Sequence, residues 1–158
     1  MITTKIKDFI CLIDDEDFIL CSMYTWFIST NGYLTRSEQI NNKKRAFYFH
    51  REILTETPLT RFDHVDHINC NKLDNRKINL RICDQRRNKM NGRAHKDNKS
   101  GYKGVCLDKR TQKWLAHIGI DGKQTHIGTF YNKIDAAVAY NNAAVKHFGS
   151  FANLNIIE

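Results

Sequence analysis

Between Val65 and Asn88 the chain reads VDHINCNKLDNRKINLRICDQRRN, where carboxylate, imidazole, amide and guanidinium groups recur at short spacing. Asp66 and Asn88 offer oxygens of the kind that hold a hard divalent cation, and His67 is a residue type that takes a proton from water near pH 7. Hydrolysis of a phosphodiester needs an oxygen nucleophile, charge neutralisation on the phosphate and help for the leaving alkoxide. A bound cation serves the last two needs and a histidine the first. An Asp-His pair alone means little, and an Asn-rich loop between short strands is ordinarily only a turn. The whole spaced set carries the reading. Asn75 and Arg76 divide evenly between turn formation and phosphate contact.

The elements that must position these groups can be read from the same stretch. Val65–Ile68 reads as a strand, followed by a polar loop and a returning strand from Asn79 to Ile82. Asp84 is placed to cap a short helix that carries Asn88 in its first turn. Strand, loop, strand and helix would return Asn88 to the end of the first strand. Neighbouring strand residues point to opposite faces. Asp66 and His67 can therefore serve one phosphate only where the strand is irregular or ends.

From Asp66 to Asn88 the sequence resembles the HNH homing endonucleases of phages and mobile introns, whose pattern runs Asp-His-Ile-x-x-Asn-Lys-x-Asp/Asn-Asn-Arg-x-x-Asn-Leu-Arg and then a further Asn. The resemblance implies a ββα-metal core in which His67 is the general base and Asp66 and Asn88 hold the cation, magnesium or manganese. Asn79 resembles the middle Asn of the motif, which ties the loop to the returning strand and counts with the catalytic set. Asparagine stands at Asn88 where other HNH proteins carry histidine, which points to the homing type. His50, in Phe49-His50-Arg51, resembles the His-Arg that precedes the core in many relatives; it reads as packing or phosphate contact ahead of catalysis. His64 reads as a surface histidine. Candidate DNA contacts of this half are Arg51, Arg76, Arg86, Arg87 and Arg93.

Charge along the chain agrees with a polyanionic partner. Residues 1–60 hold 7 basic and 8 acidic side chains, residues 61–100 hold 11 and 5, and residues 101–158 hold 7 and 4. A basic chain by itself is as readily a solvated face. The segment 88–101, NKMNGRAHKDNKSG, reads as an exposed basic linker able to follow a nucleic-acid backbone.

Downstream the local pattern is the clearest in the chain. Trp114, Ala116, Ile118 and Ile120 alternate with Leu115, His117 and Gly119, and Asp121-Gly122 is a strong hairpin signal before a second strand, Gln124 to Phe130. Tyr102 to Leu107 supplies a third strand. Asn132 is placed to cap a helix running to Phe148, with Gly149 just past its end. Its Ala136, Ala137, Ala139, Tyr140, Ala143, Ala144 and Phe148 form a face small enough to lie close on a sheet. Residues 100–155 resemble the AP2 DNA-binding domain of plant transcription factors, through Tyr102-Lys103-Gly104-Val105, Lys113-Trp114, Ile127-Gly128-Thr129-Phe130, Ala139-Tyr140 and Ala152-Asn153-Leu154-Asn155. The resemblance implies that the sheet face opposite the helix enters the major groove. Lys103, Lys109, Arg110, Lys113, His117, Gln124 and His126 would then face DNA. Plant domains carry arginines and a tryptophan on this face where Cys106, Gly119 and His126 stand here, which implies weaker binding and another base preference.

The expected architecture is α+β. A strand-rich N-terminal subdomain (1–44) supports a nuclease core (45–92), a basic linker (93–100) follows, and three antiparallel strands packed on one helix close the chain (101–158). Early strand-like runs are Phe9–Ile13, Trp26–Ile28 and Ala46–Phe49, with a turn at Asn31-Gly32 and a break at Pro58. The acids at 14–17 suit the start of a helix continuing through Phe18, Ile19 and Leu20. Five scattered cysteines without a Cys-x-x-Cys pair read as reduced thiols, so no structural zinc is expected. No apolar run approaches a membrane span and the N-terminus is no secretory signal. The expectation is a protein of the cytoplasm of an infected bacterial host, acting on double-stranded DNA as a metal-dependent HNH homing endonuclease. Its rivals are a DNA-binding regulator on a non-catalytic HNH scaffold and a restriction-type nuclease. The recognition site, nicking against double-strand cleavage, and the oligomeric state stay open.

Overall fold

The computed structural model describes residues 2–6, 8–54, 59–60 and 62–157, without the side chains of Ile2 and Lys5. The expected break at Pro58 lies outside the described residues. Helices and antiparallel sheets are mixed, compatible with α+β, and the chain divides into two compact units, Met1–Asn88 and Lys89–Glu158.

The first unit opens with the hairpin of β1 (Ile2–Ile6) and β2 (Phe9–Ile13). The acids then form a 3-10 turn, Asp15–Asp17, that leads into α1 (Phe18–Met23). β3 (Phe27–Ile28), β4 (Leu34–Ile40) and β5 (Lys43–Tyr48) make a three-stranded sheet, with the turn at Asn31-Gly32 joining the first two. β5 stops at Tyr48 because Phe49 begins α2 (Phe49–Glu52), one residue earlier than the expected strand end. β6 (His64–His67) pairs with β7 (Leu80–Cys83) across a loop that closes in a 3-10 turn, Lys77–Asn79, and α3 (Gln85–Met90) follows.

One core joins these pieces. Cys11, Ile13, Cys21, Trp26, Leu34 and Phe49 pack with Val65 and Leu80 of the β6–β7 ribbon, and Trp26 meets Phe49 edge to face at 4.9 Å. Burying such side chains contributes roughly 1.5–3 kcal/mol each. Residues 1–44 therefore share the ribbon's core, and the boundary expected at 44/45 instead falls inside β5. The backbone of β2 also holds the loop: Leu12 N donates to Leu73 O at 2.9 Å and Asn75 N to Leu12 O at 2.8 Å.

In the second unit β8 (Val105–Asp108), β9 (Lys113–Ile120) and β10 (Lys123–Phe130) form an antiparallel sheet in the order β10-β9-β8. α4 (Lys133–Phe148) is capped by Asn132, whose Oδ1 accepts from Ile134 N at 2.9 Å. Ala136, Ala137, Tyr140 and Ala144 are buried against Val105, Ala116 and Ile118. The strand expected from Tyr102 begins only at Val105. Gly104 stands at φ +74° beneath the Tyr140 ring, where a Cβ would collide with it, so the backbone turns before the strand starts.

The expected linker, 93–100, belongs to this unit. Asn91 and Ser100 are buried, Ser100 Oγ donates to Val105 O at 2.9 Å, and Asn153 Nδ2 donates to Asn91 O at 2.9 Å. Short polar side chains that satisfy turns here give the segment its composition, rather than a need to stay solvated. Among the described residues no helix is long and apolar enough to cross a membrane.

Candidate active site and nucleic-acid face

Asp66 and His67 are adjacent at the end of β6, and both are buried. Their side chains part as strand alternation requires. Asp66 sits opposite Arg81 of β7 and accepts from it through one oxygen, with Nε at 2.8 Å and Nη2 at 2.7 Å. The flat guanidinium fork suits a carboxylate, and a charge-assisted pair of this kind fixes the carboxylate's position. Ile68 N donates to Asn79 O at 2.9 Å and Cys70 N to His67 O at 2.8 Å, so the chain turns directly after His67.

His67 Nε2 lies 3.3 Å from Oδ1 of Asn75, which is fully buried and carries its own backbone bond to β2. The amide oxygen accepts, so Nε2 carries the proton and the basic lone pair is on Nδ1. Burial lowers the His67 pKa below the ordinary histidine value, against the opposing pull of Asn75 and of the Asp66 and Asp74 carboxylates. The ring is neutral at pH 7, the state a general base requires.

Around it stands a box of rings. The His50 ring is 5.1 Å from His67, and Tyr33 is 5.0 Å from His50 and 5.9 Å from His67. Burial pushes His50 down to about 3, helped by the charges of His67 and Arg51. The Tyr33 ring packs on His67, and burial, followed by the Asp66 carboxylate, pushes its hydroxyl above the ordinary tyrosine value.

Asn79 closes the loop through its side chain. Its Nδ2 donates to Asp74 O at 2.8 Å and to Asn69 Oδ1 at 3.0 Å, and its Oδ1 accepts from Asn69 N at 3.0 Å. These bonds hold it in the 3-10 turn, so the returning strand starts one residue later, at Leu80. Asp84 caps α3 by accepting from Arg87 N at 2.7 Å, and Asn88 stands half-buried in that helix. The His64–Cys83 pair brings the helix start beside β6, but among the described residues no hydrogen bond joins the Asn88 side chain to Asp66 or His67. His64 is half-buried rather than on the open surface.

The donor chemistry of Asp66 and Asn88, a carboxylate and an amide oxygen, suits a hard cation such as magnesium that keeps much of its water. Motif reading left Arg81 without a role here, and Asn75, read as turn former or phosphate contact, instead meets His67. Arg81 is recoverable once the hairpin register is drawn, because it falls opposite Asp66. Nothing in the local sequence signals Tyr33.

The basic candidates separate into two groups. Arg51 is bound to the carbonyls of Asp63 (2.7 Å) and Thr60 (3.2 Å), Arg76 grips Asp74 at 2.7 and 2.6 Å, and Lys103 Nζ donates to Met90 O at 2.6 Å. These three hold the protein's own chain. Arg86, Arg87, Arg93, Lys109, Arg110, Gln124 and His126 are exposed, while Lys113 and His117 are half-buried. Lys113 Nζ lies 4.5 Å over the Tyr131 ring.

Comparison with known proteins adds three likenesses. The chain is 39% identical over 69 residues to an AP2-like ethylene-responsive transcription factor of Arabidopsis thaliana, covering 44% of this chain and 14% of that one. It is 27% identical over 139 residues, 88% of this chain and 71% of the other, to a protein of Acanthamoeba polyphaga mimivirus named an HNH endonuclease. To protein 3.8 of Escherichia phage T7 it is 33% identical over 67 residues, covering 42% of this chain and 55% of that protein. The chain thus spans only a small part of the plant factor and about half of the phage protein. No family model and no solved structure matches.

Proposed function

We propose that this chain is a divalent-metal-dependent DNA endonuclease of the HNH homing type, with the β6–β7–α3 segment as its cutting centre and the outer face of the β8–β9–β10 sheet as a duplex-binding surface. The observation that carries the reading is His67, buried, neutral and turned by Asn75 so that Nδ1 is its basic atom, beside an Asp66 carboxylate fixed by Arg81. In this role His67 takes the proton from the attacking water. Asp66 and Asn88 would hold magnesium or manganese, which supplies charge stabilisation at the phosphate and leaving oxygen when bound. Asn79 keeps the loop closed behind them, and Arg86, Arg87, Arg93, Lys109 and Arg110 are exposed cations placed to meet phosphates, whereas Arg51, Arg76 and Lys103 hold the chain itself. The similarity to a named HNH endonuclease over most of the chain supports the nuclease half, and the similarity to AP2-like factors supports the DNA-binding half. Relatives in a phage and a giant virus support a viral setting.

The rival is a regulator that binds DNA without cutting, favoured by the higher identity to transcription factors. Supercoiled plasmid, incubated with Mg²⁺ or Mn²⁺ and with chelator, separates the two. Metal-dependent nicking or linearisation by the wild type that disappears in His67→Ala supports the nuclease. A gel shift without cleavage across a library of target sequences hands the function to the regulator.

A further inference from the structure

His117 of β9 and His126 of β10 are direct cross-strand partners on the sheet face opposite α4. His126 is exposed and His117 half-buried, and their rings are 5.0 Å apart. Nδ1 of His126 and Nε2 of His117 are 3.4 Å apart. That separation is long for a hydrogen bond between nitrogens. It matches two imidazole nitrogens on one tetrahedral zinc ion, which at bond lengths of about 2.0–2.1 Å stand roughly 3.3 Å apart.

Two further features aim the pair. Thr129 Oγ1 lies 3.3 Å from Nε2 of His126, on the far side of the ring. When that hydroxyl oxygen accepts the Nε2 proton, the lone pair of His126 is on Nδ1, facing His117. Metal-bound histidines ordinarily have such a partner on the second nitrogen. The pairing register also slips between His126 and Gly128, immediately after the histidine, and irregularities of this kind re-aim a side chain on a strand. Leu115, Gly119 and Gln124 flank the pair on this face and bring no carboxylate to it. Imidazole ligation without carboxylate selects zinc, nickel or cobalt over magnesium and calcium.

We infer that His117 and His126 form a surface site for one divalent transition-metal cation, with Thr129 orienting His126. Two protein ligands leave the other coordination positions to solvent, so the cation is exchangeable and the sheet folds without it. The inference does not depend on the nuclease reading, because the oxygen donors proposed there take a different class of cation.

Zinc titration of the full chain in excess Mg²⁺, followed by calorimetry and by side-chain ¹⁵N spectra of the histidines, tests it. The expected result is one zinc per chain, with the largest shifts at Nδ1 of His126 and Nε2 of His117. His117→Gln or His126→Gln should each weaken uptake at least tenfold, Thr129→Val about tenfold, and Asp66→Asn not at all. No saturable uptake at micromolar zinc overturns the site, as do shifts confined to His64 or His67, or uptake unchanged in both glutamine variants. Should a variant fail to fold, the wild-type ¹⁵N shifts decide alone.

Discussion

The ribbon β6–β7 and the ribbon β9–β10 are both antiparallel pairs carrying histidines, yet they use them in opposite ways. In the first, His67, Asp66, Asn75 and Asn79 are buried, and their partners come from other elements or from across the loop. In the second, His126 and Gln124 are exposed, and the ring nitrogens of His126 lie against residues of its own hairpin. Buried polar groups are strongly constrained because an unpaired partner keeps its desolvation cost. The first ribbon therefore has a single arrangement that the whole unit must support, whereas the second can change its side chains with little consequence for folding.

Chemistry should show this contrast most sharply. His67→Ala is expected to reduce cleavage by a factor of about 10²–10⁴, with DNA binding in a gel shift retained. Cleavage close to wild type would remove the base from its assigned place. Stability should come next. Arg81→Met leaves the Asp66 carboxylate buried without its cation and should cost about 3–5 kcal/mol in chemical denaturation of the first unit. Lys123→Met, on the exposed ribbon, should stay within about 0.5 kcal/mol. Equal losses would end the distinction.

Acid should act on the two ribbons in opposite directions. His50 is held neutral by burial, its pKa depressed from 6.5 to about 3, and His67 is depressed as well. A group depressed by folding contributes stability that is present above its unfolded value and lost as pH falls. The first unit should therefore weaken as pH drops from 6.5 toward 3, and His50→Phe should flatten that slope. On the other ribbon His117 is depressed by burial and by His126, so it gains charge only below the ordinary histidine range. DNA binding by the cleavage-deficient His67→Ala protein, measured in chelator, should then strengthen only as pH falls below the ordinary histidine range. A binding curve flat in pH would take the histidines off the DNA face. The smallest effect concerns Lys109 and Arg110: replacing either by alanine should lower the slope of log affinity against log salt by about 1. The same change at Arg51 or Lys103 should affect stability instead, because their donors already hold main-chain carbonyls.

How far the sequence reads through to structure differs between the units for the same reason. β9, β10 and α4 follow from a period-two pattern, an Asp-Gly turn, an Asn cap and a terminal Gly, all within a few residues of what they specify. The motif from Asp66 to Asn88 likewise marks strand, loop, strand and helix in their observed order. Where local rules missed, a contact from elsewhere had intervened: Tyr140 over Gly104 delayed β8, and Asn153 and Ser100 drew the supposed linker into a fold.

By itself the amino-acid sequence determined most element types, their order and a candidate residue set for hydrolytic chemistry, because propensity, capping and turn geometry act over a few residues. Tertiary structure alone decided which of those groups are held and which are offered. It placed Asn75 under His67 through a backbone bond to β2, set Tyr33 and His50 against the same ring, and spent Arg51, Arg76 and Lys103 on the chain itself. Burial and long-range hydrogen bonding depend on what the rest of the chain brings alongside, and no window of neighbouring residues contains that information.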